Sequence, residues 1–139
     1  MRPLPRLLSG LLLGSLLFVS ACSKDDMVNE TMDEVTKLTD EIVTKINEAE
    51  DKKAAIAEAK QMIAEREDEL GPKMEKISGL RGYQVSDETV GNFTESLFDN
   101  GMKMASLEID LMIETAQDPE LAAELDELVD AHSALLELE

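Results

Sequence analysis

Cys22 is the only cysteine of this 139-residue chain, and the residues before it suggest the chemistry of its thiol. It follows an apolar run, Leu7–Val19, which is itself preceded by Arg2 and Arg6. A basic start, a short apolar segment and small residues at its end are the order of a secretory signal. In an exported protein a single free thiol would be exceptional, so we expect Cys22 to be modified.

The residues Val19-Ser20-Ala21-Cys22 resemble the lipobox of bacterial lipoproteins. The resemblance implies that cleavage follows Ala21 and that lipid on Cys22 attaches the mature chain to a membrane. In that family an aspartate after the cysteine favours the inner membrane, so Ser23 implies the outer membrane, facing the periplasm. An ordinary cleaved secretory peptide is the alternative. A transmembrane helix fits less well, because it needs ~20 apolar residues.

The charge of the chain limits its partners. The formal net charge is −18, and loss of Arg2 and Arg6 with residues 1–21 would make it −20. A surface of this sign does not attract nucleic acid, which is recognised through its phosphates. It also argues against direct binding to an anionic lipid leaflet. We therefore expect the membrane to be engaged through Cys22 and not through the protein surface.

Composition predicts an all-α protein. Aromatic residues make up only 3% of the chain, and good helix formers such as Ala, Leu, Met, Glu and Lys dominate. We divide the chain into a signal segment (1–21), a lipidated cysteine with a short tether (22–25) and one helical domain (26–139). The expected fold of that domain is an antiparallel bundle of about four helices.

Apolar spacing and capping residues place the helices. We expect helices over 26–49, over 51–70 ending at Gly71-Pro72, from Ser86 to 117, and from Pro119 onward; the first two could be continuous. Within 107–111 the residues alternate as in a strand, but we favour helix. Val90 and Phe93 are expected to face inward. The predicted core includes Val35, Ile42, Ile63, Leu97, Leu111, Leu125 and Leu128.

His132 is the single histidine, and it falls on the apolar stripe of the last helix. In an up-down bundle the start of the first helix lies beside the end of the last, which would bring Met32 (or Met27) near His132. A Met early and a His late resemble the periplasmic b-type cytochrome four-helix-bundle family. That resemblance implies a haem b cofactor, ligated by Met32 and His132, and an electron carrier. The alternative is that His132 is an ordinary core residue.

Known catalytic and metal-binding patterns are missing from the sequence. The chain contains no H-E-x-x-H zinc motif, no glycine-rich phosphate loop and no calcium-loop pattern. The glutamate that a bundle-type di-iron site needs three residues before His132 is replaced by Val129. We expect a protein that is not an enzyme and that needs no cofactor other than the haem of the alternative reading.

The C-terminal third is strongly acidic, because from Met104 onward there are eleven Asp and Glu and no Lys or Arg. Such a run is either a solvated face or a docking surface for a basic envelope protein. The candidate docking residues on the last helix are Glu120, Glu124, Asp126, Glu127 and Asp130. A weaker alternative is that the acidic residues bind divalent cations. The leading expectation is a membrane-anchored envelope lipoprotein that acts as a non-catalytic interaction or accessory module.

Overall fold

The computed structural model describes residues 24–82 and 84–137, so Ala21 and Cys22 lie outside the described residues. It contains five α-helices and, within those ranges, no strand. Helix α1 is Asp25–Glu48, α2 is Lys52–Ser78, α3 is Asp87–Asp110, α4 is Met112–Gln117 and α5 is Pro119–Leu136. The all-α class and the helical-bundle architecture are confirmed.

Side-chain caps begin three of these helices where the sequence predicts. Asp51 accepts a hydrogen bond from the backbone N–H of Ala54, and Ser86 accepts one from Thr89. Asp118 accepts two, from Glu120 and Leu121, with Pro119 at the first helical position. Each cap satisfies N–H groups that have no partner within the helix. The Asp51 cap separates α1 from α2, so the continuous-helix alternative is wrong.

The predicted end of α2 at Gly71-Pro72 is also wrong, because the helix continues to Ser78. Proline inside a helix removes one backbone hydrogen bond and crowds the carbonyl four residues earlier, here that of Asp68. Both Pro72 and Asp68 lie on the exposed side of α2, where water can reach the freed carbonyl. Beyond the proline, Met74 and Ile77 are buried in the core. Their packing outweighs the local penalty.

Residues 107–110 are helical, which confirms helix over strand there, but the predicted helix to 117 is divided at Leu111. Leu111 lies between α3 and α4 with φ −93° and ψ 4°, away from ideal helical values. Its side chain is buried, at 2% exposure, whereas α4 buries none of its own. The division allows Leu111 to remain in the core while the chain turns towards α5.

Ion pairs show how the helices run. Lys45 pairs with Glu58 and Lys73 with Glu34, so α1 and α2 are antiparallel neighbours. Helix α3 packs beside α1 in the same direction, since the Ser86 N–H donates to Asp25 and Lys103 pairs with Asp40.

Helix α5 packs beside α2, also in the same direction. Lys53 of α2 pairs with Glu120, and Lys60 pairs with Glu127 further along both helices. Chain direction thus alternates between successive long helices, but α2 and α3 lie on opposite sides of the bundle. The α2–α3 connection, described over 79–82 and 84–86, lies at one end of the bundle.

The core confirms most of the predicted interior. Val35, Ile42, Ile63, Leu111, Leu125 and Leu128 are at most 4% exposed. Leu97 and Phe93 are only partly buried, and Val90 is 46% exposed, so the inward placement of Val90 is wrong. These three residues are on α3, which packs against α1 and α5 but not α2, and Thr89 is the only buried residue within 87–96. No helix among the described residues has the length and apolar character to cross a membrane.

Candidate functional site

His132 is a buried residue, as its position on the α5 stripe predicts. It is 1% exposed, and its Nε2 lies 2.8 Å from Oγ1 of Thr39 on α1. The Thr39 hydroxyl also donates to the backbone carbonyl of Val35 at 3.0 Å. A hydroxyl has one hydrogen to donate, so the Thr39 oxygen accepts from Nε2–H of a neutral imidazole. Burial lowers the pKa of His132 from 6.5 to about 4, which keeps the ring neutral.

Met32 is not the partner of His132. It lies on α1 seven residues before Thr39, which at 1.5 Å per residue is about 10 Å along the helix. Its side chain is 3% exposed and forms part of the hydrophobic core. The imidazole nitrogen directed at α1 is hydrogen-bonded to Thr39 instead. The pair proposed as haem ligands is therefore not brought together in this arrangement.

Asn100 is a second buried polar residue, and sequence reasoning missed it. It is fully buried, and its Nδ2 donates to Thr36 Oγ1 at 3.0 Å and to the Ser96 carbonyl at 2.8 Å. Its Oδ1 has no hydrogen-bond partner among the described residues. The available signal was its position between Leu97 and Met104 on the apolar stripe of α3. A polar residue at such a position can fix the register of two helices, here of α1 and α3.

The predicted docking face on α5 is partly used within the bundle. Lys53 binds Glu120 at 2.8 Å, and Lys60 binds both Glu124 and Glu127. The hydrogen bond with Glu124, followed by that with Glu127, raises the pKa of Lys60 above its ordinary value. Of the five candidate residues, only Asp126 and Asp130 form no ion pair with another described residue. Most of this acidic face therefore supports the contact between α2 and α5.

A different surface, on α3 and α4, has the features of a binding site. Six large apolar side chains there are exposed, including Phe98 at 67%, Ile109 at 68% and Ile113 at 67%. Spacings of four, seven and eight residues place most of them on one helix face. We call this surface the α3–α4 stripe; its members are Val90, Phe98, Met102, Ile109, Met112 and Ile113.

The sequence contains a signal for the α3–α4 stripe. Helix α3 has two apolar stripes, one through Leu97, Met104 and Leu107 and the other through Phe98, Met102 and Ile109. The helical period of the apolar residues identifies both stripes but does not indicate which of them is buried in the bundle. Contiguous exposed apolar surface of this kind marks interaction sites in soluble proteins.

Two glycines lie beside the α3–α4 stripe. Gly91 and Gly101 are seven and three residues from Phe98, so they share its face of α3. A Cβ atom added at either position would meet nothing within 4 Å. Internal packing therefore does not require glycine there, although each costs about 1 kcal/mol relative to alanine in a helix. A surface without side chains at these points allows another backbone to approach closely.

The carboxylates around the α3–α4 stripe are not neutralised. Helices α3 and α4 carry seven acidic residues, and none of them forms an ion pair within the described chain. Their only basic residue, Lys103, pairs with Asp40 of α1. Glu88, Glu95 and Asp99, at steps of seven and four, follow one edge of the stripe. The stripe is therefore apolar with a negative border.

Two shallow grooves extend the stripe towards the end of the bundle where Lys24 lies. One has a volume of about 710 Å³ and is lined by Val90, Gly91, Thr94 and Phe98 between the carboxylates of Asp87 and Glu95. The other, of about 350 Å³, lies between the end of α2 and the start of α3. Val90 lines both, and the second groove is otherwise lined mainly by apolar side chains, among them Val28, Ile77, Leu80, Val85 and Phe93.

The acidic residues do not gather into a metal centre in the part of the chain that is described. Nowhere in 24–82 and 84–137 do three His, Cys, Asp or Glu residues lie close enough to hold a metal ion. The divalent-cation alternative stays a prediction.

Comparisons with known proteins do not assign the chain to a family. It matches no protein-family model, no curated protein and no solved structure.

Proposed function

We propose that this protein is a small envelope lipoprotein, anchored through Cys22, whose helical bundle acts as a non-catalytic interaction module. The observation that carries the interaction role is the exposure of the α3–α4 stripe. Leaving Phe98, Ile109 and Ile113 two-thirds exposed is unfavourable for a monomer in water. A binding partner that covers them would remove this apolar area from water.

The anchor and the surface fit together in the geometry of the bundle. Lys24 is the first described residue, and its N–H donates to the Gln84 carbonyl at 3.2 Å, at the end where the α2–α3 connection lies. Cys22 is two residues earlier, a reach of about 7 Å for extended chain. Helix α3 starts at this end and runs away from it. A lipid on Cys22 would place the start of the stripe at the membrane, with Ile109, near the end of α3, about 30 Å further along the helix.

The attachment is tested by Cys22→Ser in the native cell, with Ser23→Ala as the matched control. Because acyl chains contribute about 0.8 kcal/mol per buried CH₂ group, several chains on Cys22 would hold the protein permanently. We expect Cys22→Ser to accumulate as unprocessed precursor or as soluble protein without incorporated palmitate. Ser23→Ala should fractionate with the outer membrane. A Cys22→Ser protein of processed size in the outer-membrane fraction would overturn the anchor.

The interaction role is tested by placing a photo-crosslinking amino acid at one exposed position at a time in the native cell. Position 98 on the α3–α4 stripe and position 126 on the outer side of α5 form a matched pair, because both are exposed. We expect a discrete adduct from position 98 that Ile109→Ser weakens, and none from position 126. Equal labelling from both positions would mean that the stripe is only a solvated surface.

A further inference from the structure

We propose that the α3–α4 stripe binds an amphipathic helix with basic flanks, supplied by a partner protein. This inference rests on the proposed interaction role and names the chemistry of the partner. It replaces the acidic face of α5 as the docking surface, because Lys53 and Lys60 already occupy three of the five carboxylates there.

The shape of the stripe fits a helix. Its α3 part extends over 20 residues, from Val90 to Ile109, which corresponds to about 30 Å of helix. A second helix of about 20 residues can follow it along its whole length. The missing side chains at Gly91 and Gly101 would let the two backbones approach closely. Apolar residues of the partner at three- and four-residue steps would pack on Phe98, Met102 and Ile109, the usual mode of helix-in-groove recognition.

The border charges specify the flanks of that helix. Glu88, Glu95 and Asp99 lie along one edge of the stripe, and none has an ionic partner among the described residues. Lys or Arg on the partner, beside its apolar face, would place positive charge against these carboxylates. Such complementarity accelerates association and excludes partners of the wrong charge.

The same charges disfavour two other occupants. In a symmetric pair of this chain, the acidic borders of both copies would face each other, in a protein whose net charge is already −18. An anionic lipid surface would likewise repel Glu88, Glu95 and Asp99. A basic helix is the occupant that satisfies both the apolar face and the border.

The test uses the full chain in zwitterionic phosphatidylcholine nanodiscs, with empty nanodiscs as the blank. The probe is a labelled 20-residue peptide of Leu and Lys whose leucines recur at three- and four-residue steps, and binding is followed by fluorescence anisotropy. Two peptides of the same length are controls: one with Glu in place of Lys, and one with the Leu/Lys order scrambled. We expect at least tenfold weaker binding of both controls, and a higher Kd for the Leu/Lys peptide as salt rises.

Variants locate the binding surface. Phe98→Ser with Ile109→Ser should weaken binding at least tenfold with an unchanged thermal melt, because both side chains are exposed. Glu95→Gln with Asp99→Asn should weaken it several-fold. Asp126→Asn with Asp130→Asn removes the same charge from α5 and should leave the Kd unchanged. An equal loss with both charge pairs would show non-specific attraction to an acidic protein and overturn the proposal.

The remaining outcomes separate this inference from the proposed function. Equal affinity for a peptide with Ser in place of Lys would overturn the basic chemistry. A dimer in sedimentation that Phe98→Ser abolishes would make a second copy the occupant and also overturn the proposal. A crosslinked adduct at position 98 without binding of the Leu/Lys peptide would refute the basic helix and leave the interaction role standing. If neither the crosslinked adduct nor peptide binding is observed, the basic helix and the interaction role are both refuted.

Discussion

Oγ1 of Thr39 and Nε2 of His132 are 2.8 Å apart, although the residues are separated by 93 positions in the chain. Thr39 lies on α1 and His132 on α5, two helices on opposite sides of the bundle whose backbones are not neighbours. The side chains therefore meet across the centre of the core. A buried imidazole with one such partner makes the stability of the bundle depend on pH.

We expect the free energy of unfolding to fall below about pH 6.5 because of His132. Its pKa is about 4 in the folded protein, below the ordinary histidine value of 6.5 that holds in the unfolded chain, so the unfolded chain binds the extra proton between these values. The stabilisation is complete above pH 6.5 and is lost as the pH falls to 4. At pH 5 the loss is about 2 kcal/mol relative to pH 8. Urea unfolding of wild type and of His132→Gln at pH 5 and at pH 8 measures this loss.

The carboxylates of the chain are common to both proteins, so their contribution cancels in the difference. His132→Gln retains an amide that can bond Thr39 and has no proton to gain. Its unfolding free energy should therefore change less between pH 8 and pH 5 than that of wild type. Identical pH dependence in the two proteins would contradict the assignment.

Burial predicts unequal costs for two leucine truncations. Leu125 is 3% exposed in the core, whereas Leu97 on α3 is only partly buried. Leu125→Ala should lower the free energy of unfolding by about 2–5 kcal/mol, as for other buried leucines. Leu97→Ala should cost clearly less, because part of its surface already contacts water. Thermal melts followed by circular dichroism compare the two, and equal costs would mean that α3 is more deeply packed than described.

Asp118 combines a helix cap with an ion pair, and two substitutions separate them. Its Oδ1 accepts from the N–H groups of Glu120 and Leu121 at 3.1 Å, and its Oδ2 lies 2.9 Å from Nζ of Lys53. Asp118→Ala should cost about 1 kcal/mol of stability through loss of the cap. Asp118→Asn keeps the cap and loses an exposed ion pair, which contributes little. In chemical denaturation, wild type and Asp118→Asn should have similar free energies of unfolding, and both should exceed that of Asp118→Ala.

Pro72 inside α2 predicts a stabilising substitution. Pro72→Ala supplies an N–H for the Asp68 carbonyl and removes the clash of the ring with the preceding turn. The free energy of unfolding should rise by about 1–3 kcal/mol, within the difference of ~3 kcal/mol between Pro and Ala in a helix interior. Gly71→Ala is the control, because the added Cβ would meet nothing within 4 Å. It should raise the free energy of unfolding by no more than about 1 kcal/mol. A decrease for Pro72→Ala would show that the core requires the proline.

The sequence by itself determined the features that depend on neighbouring residues. The caps at Ser86 and Asp118 act on N–H groups two or three positions away, so the starts of α3 and α5 could be predicted. The period of Leu121, Leu125, Leu128 and His132 identified the buried face of α5, because α5 has one apolar stripe. The predicted export signal before Cys22 is equally local, and both this signal and the lipidation of Cys22 stay predictions.

Tertiary structure decided what depends on which helices are neighbours. Helix α3 has two apolar stripes, and only its position against α1 and α5 determines that Leu107 is buried and Ile109 exposed. Packing also lets α2 continue beyond Pro72, because the burial of Met74 and Ile77 stabilises the helix by more than the proline destabilises it. Contacts between distant positions, such as Thr39 with His132 and Lys60 with Glu124, depend on the register of whole helices. The apolar period of a sequence describes one helix at a time, so it does not predict the register between two helices.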